Sequence, residues 1–300
     1  MPAPNSPNFD QAHEQQEERG TFMPYVSKSR LMGYIKNPRH FYYNYIEGIK
    51  QPETFYMRRG TNVHTVFEEY YLNVIDLWER EQYIYRDLTK YLPEDVDLWA
   101  DYTEPYVSNF LVFENSRRSI CVEAGDRSLF IPVAVEAEVW DWDHEIPLMG
   151  FADVILHAAS VPGFENESGV LIIDHKTGNE VKAEKYKNYE GSVLDELEYY
   201  AMLFEDEYEI AAIAGYFPRG NVLIDSRPDP ERRVRLETTI RTLFDSGTDI
   251  DNYPIKPGPL CAWKKDPDCQ SYYYEMCEEC RWGTPGGPGP TVRDSDKQPL

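Results

Sequence analysis

From about Tyr56 to Tyr83 the apolar residues Val63, Val66, Phe67, Tyr70, Tyr71, Val74 and Ile75 recur every three or four positions, the spacing of one face of a long helix. Ahead of it, Ser27 or Ser29 can cap a helix running through Leu31, Tyr34 and Ile35, and Pro38 marks a second helical start that continues through Phe41 and Tyr45. A further helix is expected over about Glu94 to Glu114, so the front third of the chain reads as helical. The period then changes, and a sheet is expected to begin near residue 120. The segments IPVAVEAEVWDWD, IPLMGFADVILH and GVLIIDHKT are short, β-branched and bounded by Gly, Pro and Asn, which is the pattern of strands. After them come a helix over Val193 to Glu207, strands over Ile210 to Phe217 and Asn221 to Ile224, and an amphipathic helix over Asp229 to Ser246. No internal repeat is present. Residues 1–24 are polar and rich in Pro, Gln and Glu, and residues 283–300 are rich in Gly and Pro; both are expected to be disordered tails without chemistry.

Chemistry concentrates where the strand pattern ends. In LIIDHKTG an apolar strand closes on Asp174, His175 and Lys176 before Thr177 and Gly178 turn the chain. Alternation along a strand puts Asp174 and Lys176 on the same face, where a carboxylate and an ammonium can bind a divalent cation and position or deprotonate a water beside it; a solvated ion pair has the same signature. Upstream, Asp153 interrupts the apolar strand MGFADVIL. Such a charge needs either a structural partner or a metal shared with Asp174 across neighbouring strands. His64 and Glu68 lie four apart on one face of the long helix, near Gly60, whose lack of a side chain permits close approach to another backbone. A neutral imidazole there can complete a metal shell otherwise made of oxygens, or simply pack.

Taken together and in order, these segments resemble the PD-(D/E)XK nuclease superfamily in its RecB-like exonuclease branch, which includes CRISPR-associated and viral members. The family's G-x-x-x-H is similar to Gly60 to His64, its G-x-x-D to Gly150 to Asp153, and its (D/E)-x-K to Asp174 to Lys176. Its Q-L-x-x-Y helix is similar to Glu196-Leu197-Glu198-Tyr199-Tyr200, with Glu in place of the glutamine, and SKSRLMGYIKNPRHFYY resembles the family's opening helical segment with Asn37 in place of a cysteine. The resemblance covers residues 25–282. It implies an α/β fold with a restriction-endonuclease-like core, a central mixed sheet flanked by helices, over residues 25–255. It also implies that Asp153, Asp174, His64 and the backbone carbonyl of His175 hold Mg²⁺ or Mn²⁺. Lys176 would then orient a water and offset charge as a DNA phosphodiester is hydrolysed, with Glu68, Glu196 and Tyr200 as outer-sphere or DNA-contacting residues. Glu136 and Glu138, on the preceding strand, could add an outer carboxylate, although alternating strand carboxylates more often face solvent, and neither is expected to touch the ion.

Near the C-terminus, Cys261, Cys269, Cys277 and Cys280 fall within twenty residues, too local for the disulfide framework of a secreted domain. Residues 256–282 therefore read as a small cysteine module that can bind Zn²⁺, less readily an iron–sulfur cluster, or keep free thiols. Cys121, on an expected strand, reads as a small buried core residue.

Charge narrows the picture last. The net charge is −23, from 53 acidic against 30 basic residues, of which 12 are lysine. So acidic a surface argues against a broad nucleic-acid-binding face and confines any DNA contact to a groove; Lys182, Lys185 and Lys187 form the densest lysine group and read either as a phosphate-contacting loop or as a solvated one. It also suits a halophilic host or a virus of one. With no apolar run long enough to span a bilayer and no secretory signal, a cytoplasmic location without membrane attachment is expected. The expected partner is DNA, single-stranded or with free ends, with a helicase or recombination protein as a second candidate. The competing class is a non-catalytic nucleic-acid- or protein-binding module that keeps the fold.

Overall fold

Among the described residues six strands form one mixed sheet: β1 (Val26–Ser27), β2 (Ala134–Asp141), β3 (Leu148–His157), β4 (Val170–His175), β5 (Ile210–Phe217) and β6 (Val222–Ser226). The computed structural model describes residues 7–19, 21–50, 52–94, 104–254 and 256. The four clustered cysteines and the C-terminal tail lie outside the described residues. Strand β3 is antiparallel to β2 along one edge and to β4 along the other, β4 runs parallel to β5, and β5 is antiparallel to β6. Strand β1 pairs in parallel with Leu148 and Met149. Because β2 takes the whole of one edge of β3, β1 lies on the edge that β4 uses, beyond the point where β4 ends.

The helices among the described residues are α1 (Pro7–Arg19), α2 (Lys28–Lys36), α3 (Pro38–Phe41), α4 (Phe55–Glu81), α5 (Glu104–Glu123), α6 (Glu180–Tyr186), α7 (Val193–Phe204) and α8 (Pro230–Ser246), with a wider turn over Tyr42–Ile46 after α3. Ser27 caps α2 by accepting from the Arg30 N–H, and Asp229 caps α8, as their side chains and positions lead one to expect. The sheet separates two apolar clusters. On one face Ile155, Ile172 and Ile213 belong with Leu197 and Leu203 of α7 and Leu236 and Ile240 of α8. On the other, Val154, Leu171, Ile173 and Ala214 belong with Val63, Val66, Phe67 and Tyr70 of α4 and Phe110 of α5. Every residue of β4 is buried, which suits a central strand covered by helices on both sides.

Three segments differ from the sequence expectation. Helix α5 runs to Glu123, so the sheet resumes at Ala134 and Cys121 is a buried helical residue, not a strand residue. Its inward stripe contains Glu114 and Arg117, two fully buried charges that disguise the apolar period. Within the expected N-terminal tail, α1 forms, and its Phe9 meets Tyr25 and Trp140 edge-on with ring centroids 5.4 and 5.3 Å away. Composition could not reveal that contact. The expected loop carrying Lys182 and Lys185 is α6, whose cap Asn179 accepts from the Lys182 N–H. Among the described residues no helix is long and apolar enough to cross a membrane.

Gly169 sets the start of β4. Its φ is +78°, and a Cβ there would lie 2.1 Å from the carbonyl oxygen of Glu209, which accepts from the Val170 N–H. The Gly169→Ala protein is expected to lose about 2–4 kcal/mol from the combined left-handed strain and backbone overlap, read as a lowered denaturant midpoint.

Candidate active site

Strand β4 delivers Asp174 and Lys176 to the face covered by α7, while the intervening His175 enters the opposite core beside Phe67, Tyr71 and Phe110. Asp174 is buried and fully neutralised: Lys28 Nζ is 2.6 Å from its Oδ1 and Lys176 Nζ is 2.6 Å from its Oδ2. The Tyr200 hydroxyl donates to Oδ1 at 3.3 Å. Burial alone would raise this carboxyl, but the two ammonium groups outweigh it and hold Asp174 far below the usual carboxylate range. Burial likewise disfavours the charge on Lys176, and Asp174 together with Glu196 more than reverses that, so Lys176 enters as a cation and not as a base.

Asp153 reaches the same place from β3 by an irregularity. Gly150 faces α7, since a Cβ there would lie 2.8 Å from Leu203 Cδ1 and 3.3 Å from the Tyr200 ring. Ala152 belongs to that same cluster, yet Val154 and Leu156 belong to the opposite one. Across the strand pair, Val135 and Ala137 also lie on opposite sides. The reversal falls at Asp153 and at Glu136, which would face it in the register of β2 and β3 and has a positive φ of 46°. The twisted step re-aims Asp153 along the end of β4, where its Oδ2 accepts from the His175 N–H at 2.6 Å and lies 3.3 Å from His64 Nδ1. Burial and the charge of Asp174 work to raise Asp153, but His64 and the His175 imidazole, whose Nδ1 lies 3.4 Å from Oδ2, prevail and its pKa is lowered. Glu136 is pushed up to about 7 by burial, then by the charges of Asp153 and Glu68.

His64 arrives from α4, whose Gly60 lies one turn earlier against the turn after β4; a Cβ there would sit 3.4 Å from Thr177 Oγ1. Burial, only partly opposed by Asp153, lowers the pKa of His64 and keeps its imidazole neutral. Since the N–H and C=O of one residue leave an extended strand by the same edge, the His175 carbonyl also faces the β3 side, where Asp153 stands. Two carboxylates, a neutral imidazole and a strand carbonyl are a suitable donor set for a hard divalent cation. The cationic Nζ groups on both oxygens of Asp174 show that positive charge is accommodated there. Among the described residues no three His, Cys, Asp or Glu groups are gathered tightly enough to enclose an ion as they stand.

Helix α7 closes the site. Glu196 binds Lys176 at 2.5 Å and Lys36 of α2 at 2.8 Å, which draws its pKa to about 2 against the opposing effect of its burial. A glutamate at this position thus acts electrostatically, anchoring the outer side of Lys176. Glu68 lies one turn beyond His64 and acts on Glu136, so it faces β2. Sequence reasoning leaves out Lys28 and Lys36 as site residues, although both lie in the opening segment, and gives Glu136 no first contact with the ion. The signal for Lys28 is its place between Ser27 and Ser29. The reversal at Asp153 and Glu136 has no local sequence signature.

A family model described as the PD-(D/E)XK nuclease superfamily matches residues 25–282. No curated protein matches the chain.

Proposed function

The chain belongs to the PD-(D/E)XK nuclease superfamily, and on that premise we propose that it is a Mg²⁺- or Mn²⁺-dependent deoxyribonuclease of the RecB-like branch, an exonuclease that processes DNA ends. The observation that carries this reading is the meeting of His64 and the His175 N–H on one oxygen of Asp153, beside an Asp174 that Lys176 holds ionised. Asp153, Asp174, His64 and the His175 carbonyl would hold the cation. When bound, it supplies a Lewis acid for a phosphoryl oxygen and lowers the pKa of a coordinated water.

The chain's own residues supply the rest. Lys176, kept charged and fixed between Asp174 and Glu196, presents a cation to the reacting phosphate and stabilises negative charge that grows there as the water attacks. Tyr200 orients Asp174 through its hydroxyl, and Glu196 positions Lys176 without touching the substrate. The surrounding apolar clusters exclude bulk water from one side, which strengthens each of these interactions. With a net charge of −23, only a local groove can draw in a polyanion, in keeping with engagement of an end or a single strand. The thiols of Cys261, Cys269, Cys277 and Cys280 are proposed as a separate structural metal site, zinc ahead of an iron–sulfur cluster, which elemental analysis and an absorption spectrum distinguish.

The test is cleavage of end-labelled single- and double-stranded DNA, with free, 5′-blocked or 3′-blocked ends, across Mn²⁺ and salt concentrations. Metal-dependent loss of terminal nucleotides that one end-block prevents supports the exonuclease reading. Internal cuts would leave the nuclease and remove the exonuclease. Binding without cleavage at any metal or salt concentration would favour the non-catalytic module.

A further inference from the structure

Lys28 bonds directly to the central carboxylate of the site although it is none of the metal-binding or catalytic residues that the motifs supply. It is the first residue of α2 and follows β1, whose pairing with Leu148 and Met149 places it on the β4 edge of β3, just past the end of β4. From that anchored start its Nζ reaches Asp174 Oδ1 at 2.6 Å and lies over the Tyr200 ring, 5.0 Å from the centroid. Lys176, on the other oxygen, is fixed a second time by Glu196. Lys28 has Asp174 alone as its ion-pair partner among the described residues, and its side chain keeps 21% of its surface exposed. The two side chains are equally exposed, but Lys176 is shared between two carboxylates whereas Lys28 is held by one ion pair and by the face of the Tyr200 ring.

A buried Asp174 at the end of β4 and a half-buried Asp153 within the neighbouring β3 repel each other and need compensating charge whether or not an ion is bound. Without the ion, Lys28 supplies that charge on Oδ1. An ammonium and a divalent cation on one carboxylate oxygen repel each other at short range, so the two compete for it. We propose that Lys28 is the internal counter-ion of the metal site: it occupies the place on Asp174 that a divalent cation takes and must leave for the cation to bind. The inference rests on the metal-dependent reading above and adds to it a residue that tunes the ion's affinity. A flexible four-carbon stem with three donors suits the part, since the released ammonium can turn to a phosphate on a bound strand. Ion and nucleic acid then favour each other's binding, because each stabilises the state in which Lys28 has left Asp174.

The test is Mn²⁺ titration of the full-length protein in the absence of nucleic acid, followed by calorimetry and by the paramagnetic resonance of free Mn²⁺, for the wild type and Lys28→Met, with Lys28→Gln as a second neutral variant should the first fold poorly. Removing the competitor is expected to tighten Mn²⁺ binding by about tenfold or more, the equivalent of one charge-assisted hydrogen bond no longer surrendered. Lys28→Arg, which keeps the charge, should stay within about threefold of the wild type on the same reasoning. A residue that merely supports the fold would give weaker binding when replaced, not tighter. Measurable Mn²⁺ binding by the wild type with equal or weaker binding by the neutral variants overturns the inference and leaves the metal-dependent reading standing. Absence of Mn²⁺ binding in every form overturns both.

Discussion

The Lys176→Met protein is expected to fold normally, to bind DNA in the presence of non-catalytic Ca²⁺, and to cleave it roughly a hundred- to a thousand-fold more slowly than the wild type, the loss that follows removal of one preorganised charge from a transition state. Methionine keeps the aliphatic stem that passes Gly215, where a Cβ would lie 3.8 Å from Lys176 Cγ, so the packing survives and only the ammonium is removed. Asp174 retains Lys28, which preserves charge balance in the resting site. Single-turnover cleavage separates this from weakened binding: the effect should fall in the chemical step, with the DNA affinity nearly unchanged. A loss confined to KM would mean that Lys176 only helps to hold the strand.

The second large effect concerns the frame on which the site is built. Arg117 on α5 is fully buried, with Nη1 donating to Glu114 Oε2 at 2.8 Å and Nη2 donating to the Phe130 carbonyl at 3.1 Å and to Ser160 Oγ at 3.0 Å. Glu114 in turn accepts from the Tyr71 hydroxyl of α4 at 2.9 Å. This group ties α5 and α4 to the segments on either side of β2 and β3. Arg117→Ala leaves the Glu114 charge buried without its partner, and the loss is expected to be about 3–5 kcal/mol in chemical denaturation. Replacing both, Glu114→Leu with Arg117→Met, should recover most of that stability, because no orphaned charge remains. The double variant should cleave with an undiminished rate per folded molecule, which distinguishes the frame from the chemistry. If the double variant is as unstable as Arg117→Ala, the hydrogen bonds to Ser160 and Phe130 matter more than the charge pair.

How much of this is legible in the sequence follows from the range of the forces involved. Local patterns give α2, α4, α7 and α8 and the strands β2 to β6 within a few residues, because each shows its apolar face at its own period. The convergence of Asp153, Asp174, Lys176 and His64 is readable from motif order, since Asp174 and Lys176 share a strand face and Gly60 and Gly150 mark close approaches of helix to sheet. The stripe of α5 escapes where Glu114 and Arg117 satisfy each other inside the core, a pairing invisible to a scale that counts charges as exposed. Helix α1 escapes because Phe9 finds its partners at Tyr25 and Trp140, far along the chain. The reversal at Glu136 and Asp153 is a property of two strands together, and Lys28 meets Asp174 only because β1 docks beyond the end of β4.

The central claim is that Asp153, Asp174, His64 and the His175 carbonyl converge on one divalent ion, and the most direct measurement is the anomalous scattering of a Mn²⁺-loaded crystal of the full-length protein. A single strong peak is expected where the end of β4 meets Asp153 of β3, within coordination distance of both aspartates, with Lys28 drawn away from Asp174. A Mn²⁺-saturated crystal with no peak there, or with the ion held instead by Glu68 and Glu136, would contradict it.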